Sequence, residues 1–86
     1  MITHSYIDTH THLDDKQYIN DLDSVLTDAM AAGVSGMVNI GYCPERWTTT
    51  LALAERYPQE SYALGLHPGN ADEWSESLMD DLTSLL

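Results

Sequence analysis

One cysteine, Cys43, in 86 residues leaves no partner for an internal disulfide and fits a reducing, cytoplasmic setting. Basic residues are almost as scarce: Lys16, Arg46 and Arg56 stand against fourteen acidic ones, for a formal net charge of −11. Such a surface repels phosphate backbones and anionic membranes, which excludes recognition through a basic patch. Any anionic substrate must then be drawn by bound metal or by protein outside these residues. No apolar run approaches bilayer length, so no membrane span or membrane partner is expected. The segment Met1-Ile2-Thr3-His4-Ser5 lacks the basic-then-apolar pattern of a secretory signal. A hydrophobic content of 43% is nevertheless ordinary for a folded domain.

What is present begins with Asp8-Thr9-His10-Thr11-His12-Leu13, directly behind the apolar stretch Ser5-Tyr6-Ile7. In an extended chain alternate side chains share a face, so Asp8, His10 and His12 are expected to project together, opposite Ile7, Thr9 and Thr11. Two neutral imidazoles can then meet one divalent ion, with the carboxylate placed to orient or ligate. The polar loop Asp14-Asp15-Lys16-Gln17 leads away from the pair.

The rest reads as alternating helix and strand. Asn20 is a helix N-cap candidate, with Asp21 and Asp23 suiting the first-turn dipole. Leu22, Val25, Leu26, Ala29 and Met30 form an apolar stripe at helical spacing, and Gly33 stands where a left-handed residue ends a helix. Val34 to Ile40 is the second strand, in which Gly36 permits close approach of another element. Cys43 is a small residue before a helix rather than a nucleophile, since nothing supplies it a base. Pro44 opens that helix, Trp47, Leu51 and Ala54 share its face, and Pro58 blocks its continuation beyond about Tyr57. Ser61 to Leu66 is the third strand, leading into the turn-rich Gly65-Leu66-His67-Pro68-Gly69-Asn70. Leu78, Met79, Leu82, Leu85 and Leu86 mark a last helix, with Asp80 and Asp81 on its solvated face.

Strand–helix repeats of about 30 residues imply parallel strands with helical crossovers, as in a β/α barrel or an open doubly wound sheet. An open nucleotide-binding sheet would offer a glycine-rich first turn, and this one holds D-T-H-T-H instead. The expected fold class is therefore α/β, the first three βα units of a (β/α)₈ barrel with flanking helices. In such a barrel the loops after the strands open onto one face. His10 and His12 after the first strand, the Asn39-Ile40-Gly41 end of the second and His67 after the third should share that mouth.

Tyr6-Ile7-Asp8-Thr9-His10-Thr11-His12-Leu13-Asp14, then Gly33-Val34 entering a strand, then Gly65-Leu66-His67-Pro68, resemble the start of the TatD family of metal-dependent hydrolases. That family lies within the amidohydrolase-type barrel group. The resemblance implies residues 1–86 as the N-terminal, incomplete part of one barrel domain. It further implies phosphodiester hydrolysis with divalent metal ions (magnesium, manganese or zinc, two in the complete site) and DNA or another phosphodiester as substrate. His10 and His12 would ligate the first metal, Asp8 would be a supporting carboxylate, and His67 would line the substrate mouth. The family often carries a histidine where this chain has Gly69. Its later glutamate, two further histidines and late aspartate have no counterpart here, so the 86 residues alone are expected to be inactive. Two rivals share parts of the pattern: an amidohydrolase acting on a small amide or ester, and a non-catalytic truncated or association module.

Overall fold

The structure is a computed structural model that describes residues 5–86; the reading of Met1 to His4 lies outside the described residues. Three strands, β1 (Tyr6–Thr11), β2 (Val34–Gly41) and β3 (Glu60–Leu64), form one sheet in the order β1-β2-β3, parallel throughout. Each is followed by a helix: α1 (Leu22–Ala31), α2 (Pro44–Arg56) and α3 (Glu76–Leu85). Single 3₁₀ segments precede α1 (Lys16–Tyr18) and α3 (Pro68–Glu73). The expected three βα units are all present.

β1 runs further than its apolar stretch. It continues through Thr9 and His10 to Thr11, which pairs with Asn39 of β2, and threonine suits an extended backbone. α1 begins later than the Asn20 cap would place it. The 3₁₀ turn draws the Asp21 N–H onto the Tyr18 carbonyl at 3.2 Å, so Asp21 becomes the N-cap, without a side-chain cap bond. Leu22, Val25, Leu26 and Ala29 then face a core of Leu13, Met37 and Leu53. Met30 does not join them: it stays exposed at the end of the helix, its sulfur 3.5 Å from the Gln59 amide. Gly33 has φ 108°, the left-handed backbone that ends the helix and turns the chain into β2.

The buried face of α2 is Trp47, Thr50 and Leu53, with Leu51 and Ala54 only half-buried at its margin. The stripe is rotated from the expected one because Thr50 has a polar partner beneath it on β2. The Trp47 indole N–H reaches the Gly65 carbonyl at 2.8 Å, which ties α2 to the segment leaving β3. That strand starts one residue early, at Glu60, and ends at Leu64. Gly65 still donates its N–H to the Gly41 carbonyl (2.9 Å), after which the chain bends toward His67. Ser75 caps α3 through the Leu78 N–H at 3.0 Å. Leu78, Leu82 and Leu85 are half-buried, whereas Met79 and Leu86 are exposed, so the last apolar stripe is narrower than its spacing suggests. On the sheet face away from α1 and α2, Ile7 contacts the space at Gly36, where a Cβ would lie 3.0 Å from Ile7 Cδ1.

Candidate metal centre

β1 and β2 do not pair in simple alternation. Tyr6 pairs with Val34 and Ile7 with Gly36, so β2 carries one extra residue there. Asp8 then pairs with Met37 and Thr11 with Asn39, so β1 carries one extra residue between them. The two shifts cancel. The second is a bulge at Thr9–His10, and a bulge re-aims side chains locally.

The expectation that Asp8 projects with the two histidines fails for that reason. Asp8 stands in register with Met37, a residue of the helix-side core. Its carboxylate accepts the backbone N–H of His10 at 3.1 Å, and it does not line the cleft that holds the imidazoles. It braces the bulge instead of meeting a ring nitrogen.

His10 and His12 do converge. Their Nε2 atoms lie 3.3 Å apart, with ring centroids at 5.1 Å and planes at 80°. His12 Nδ1 lies 3.2 Å from the Ile40 carbonyl oxygen. A carbonyl can only accept, so Nδ1 carries the proton and the Nε2 lone pair is left toward His10. This is how metal-ligating histidines are usually oriented, through a hydrogen bond from the other ring nitrogen. The donor set fits a divalent ion on distance as well: two nitrogens each about 2.05 Å from one ion at a near-tetrahedral angle lie about 3.3 Å apart. Among the described residues no third His, Cys, Asp or Glu joins them in a group able to hold a metal.

A cleft of about 350 Å³ opens beside the pair, lined by His10, His12, Asp15, Ile40, Tyr42, His67 and Asn70. His67 thus shares the mouth with His10 and His12, as the barrel reading requires. It opens the second 3₁₀ segment, where its Nδ1 accepts the Gly69 N–H at 2.9 Å. In the neutral ring the proton is then on Nε2, available as a donor. Gly69 has no side chain to spare here, since a Cβ would sit 3.1 Å from that Nδ1.

Tyr42, which sequence reasoning passed over, bridges the two sides. Its ring lies edge-on to His12 (centroids 5.4 Å) and to His67 (6.5 Å), so one aromatic chain runs His10–His12–Tyr42–His67. The available signal was its position immediately after β2, where barrel sites are built. Arg46, in the first turn of α2, places Nη1 3.3 Å from the Asp14 carbonyl oxygen. Arg56, at the far end of α2, lies near Asp23 at 3.8 Å instead.

Asn39, expected at the mouth with the histidines, is instead buried on the helix side of the sheet, in a polar group with Asp14, Thr49 and Thr50. Asn39 donates to Asp14 Oδ1 (3.1 Å) and Thr50 Oγ1 (3.0 Å), and its Oδ1 accepts from the Leu13 N–H (2.7 Å) and Thr11 Oγ1 (3.4 Å). Thr49 and Thr50 hydroxyls reach Asp14 Oδ2 at 2.6 and 3.3 Å. Burial works to raise the Asp14 carboxyl, but hydrogen bonds from Thr49, Asn39, its own N–H and Thr50 outweigh it and hold the group below its usual range. Glu60 is the opposite case. It is 6% exposed with neither carboxylate oxygen hydrogen-bonded, and burial, then the charges of Asp14 and Asp8, push it up to about 7. Cys43 is buried at the N-cap of α2.

The chain is similar in sequence and fold to known proteins. Residues 7–86 match the family model described as TatD related DNase. The metal-dependent hydrolase YjjV of Escherichia coli is 36% identical over 81 residues, covering 94% of this chain and 31% of that protein. The 3′-5′ ssDNA/RNA exonuclease TatD of Salmonella typhimurium is 35% identical over 78 residues, covering 91% and 30%. The chain therefore spans about three tenths of the length of these relatives. The crystal structure of E. coli YjjV superposes with a TM-score of 0.83 at 35% identity, over 92% of this chain and 30% of that one. A TatD family hydrolase of Entamoeba histolytica superposes at 0.87 with 22% identity, over 99% and 34%, a likeness of fold alone.

Proposed function

Because this chain belongs to the TatD-related DNase family, we propose that residues 1–86 are the N-terminal three βα units of a single barrel domain that hydrolyses phosphodiester bonds in nucleic acid. The name 3′-5′ ssDNA/RNA exonuclease carried by relatives points to single strands as the substrate class. The observation that carries the reading is the approach of His10 and His12 Nε2 to 3.3 Å with the His12 tautomer fixed by Ile40. His10 and His12 would hold a divalent ion, which when bound supplies an activated water and charge neutralisation at phosphorus. Magnesium, manganese and zinc are the candidates, with two ions in the complete site. A single buried cysteine suits a reducing, cytoplasmic compartment.

The chain's own residues have separable tasks. Asp8 holds the His10 amide and so fixes the bulge that turns His10 toward His12. His67 presents an Nε2–H donor to the mouth, placed to bond a phosphate oxygen or a leaving oxygen. Tyr42 forms a wall between the histidines on which a nucleobase can pack edge or face. With fourteen carboxylates repelling the substrate, affinity should be weak and salt-sensitive.

The test is activity of the whole protein on a 5′-labelled single-stranded oligonucleotide, beside small amides and esters, with magnesium, manganese or zinc. Shortening from the 3′ end that His10→Ala and His12→Ala abolish is the expected result. Turnover of the small esters or amides with the oligonucleotide left intact would transfer the chain to the amidohydrolase reading. The 86-residue chain should itself bind one metal ion weakly and show no turnover.

A further inference from the structure

Asn39, like Thr50 above it, is fully enclosed, with 0% exposure near the C-terminal end of β2. Central parallel strands are covered on both faces and run to apolar residues, so a polar group there needs a reason. Its neighbours along β2 on that face, Met37 and Gly41, carry no polar side-chain atom of their own.

The carboxamide is fully used. Leu13 N–H can only donate and the Asp14 carboxylate can only accept, which fixes which end is oxygen and which is nitrogen. Both hydrogens go to Asp14 Oδ1 and Thr50 Oγ1, and the oxygen accepts the Leu13 N–H at 2.7 Å; the Thr11 hydroxyl shares its one proton between the Val38 carbonyl (3.1 Å) and this oxygen (3.4 Å). Thr11 and Leu13 are the two residues that flank His12. The next residue of β2, Ile40, takes the His12 imidazole through its carbonyl on the other face. Consecutive residues of β2 therefore grip His12 from both sides of the sheet, one by its backbone neighbours and one by its ring. Asp14, held in turn by Thr49 and Thr50, locks the start of the following loop to α2.

We propose that Asn39 is a positioning residue for the His10–His12 pair, setting from the helix side of the sheet the backbone that aims His12 Nε2. This rests on the metal-binding reading of that pair. Groups that orient metal ligands typically cost roughly 10- to 100-fold in affinity when removed, and Asn39 acts here through the chain on either side of the ligand.

The experiment is a cobalt(II) titration of the 86-residue chain followed by visible absorption, with folding of each variant checked by far-ultraviolet circular dichroism. Asn39→Ala should weaken cobalt binding roughly 10-fold or more and alter the ligand-field band. Thr50→Val, which leaves the carboxamide one acceptor short while preserving volume, should weaken it by a smaller factor and serves if the alanine variant does not fold. Leu26→Ala, buried in the core but bonded to none of these groups, should leave affinity within about twofold, whereas a merely structural role for Asn39 would make its variant behave like this one. If His12→Ala abolishes binding while the Asn39 and Thr50 variants match wild type, or match Leu26→Ala, the positioning role is overturned and the metal pair stands. If the wild-type chain binds no cobalt, the metal reading fails and this inference fails with it.

Discussion

Glu60→Gln removes a carboxyl that the fold encloses without a hydrogen-bond partner, and its effect should vary with pH in a calculable way. In the unfolded chain this group releases its proton near 4.5; in the fold, burial and then the charges of Asp14 and Asp8 raise it to about 7. Below the lower value both states keep the proton, and the wild type bears no penalty. Between the two values the unfolded chain ionises first, so stability falls as pH rises, and above about 7 the loss is complete. At about 1.4 kcal/mol per pH unit the full loss is about 3 kcal/mol, a large share of the roughly 5–15 kcal/mol that holds a domain together. Glutamine has nearly the same shape and stays neutral. It is as unpartnered as the protonated acid, so the two proteins should differ by no more than about 1 kcal/mol at pH 5, near the start of the window. By pH 8 the variant should be the more stable by up to about 3 kcal/mol. Urea unfolding at constant ionic strength across that range measures the difference, in which the histidines' own titration is common to both proteins and cancels. A difference that stays flat from pH 5 to pH 8, or that favours the wild type at pH 8, would refute the reasoning.

Gly33→Ala should cost about 1–2 kcal/mol in urea unfolding, because φ 108° is strained for any residue with a Cβ. Trp47→Phe keeps most of the apolar packing of α2 but orphans the Gly65 carbonyl, for an expected loss of about 1–3 kcal/mol by the same measurement. Zinc at a hundredfold excess over its dissociation constant should stabilise the wild type by about 2.7 kcal/mol in thermal unfolding; His12→Ala and excess chelator should each remove that gain, and a gain that survives His12→Ala would place the ion elsewhere.

The elements that periodicity could read were those with one face toward a core. Leu22, Val25, Leu26 and Ala29 were visible because helix spacing and burial agree, and Gly33 because only a left-handed backbone explains a glycine there. The D-x-H-x-H motif announced its histidines but misplaced Asp8, since a period of two assumes unbroken pairing and the bulge at Thr9–His10 is a property of two strands together. Asn39 was read as lining the mouth and Asp14 as part of a polar loop, for a related reason. Each is unremarkable alone, and their meaning lies in contacts spanning 25 to 36 residues of sequence. Glu60 carries no signal in the sequence: its burial follows from its place at the start of β3, where its oxygens find no partner.

The sheet order β1-β2-β3 leaves an outer edge on each side, where backbone donors and acceptors of Tyr6–Thr11 and Glu60–Leu64 have no strand beside them within these residues. Such rims invite pairing between copies, which a net charge of −11 opposes by mutual repulsion. That repulsion vanishes near the isoelectric point of about 4.2. Acidifying a concentrated solution of the chain should therefore bring it together edge to edge, as β-rich assemblies that added salt at neutral pH would also promote by screening. The acidity that makes the chain a poor partner for nucleic acid is thus also its safeguard against its own strands.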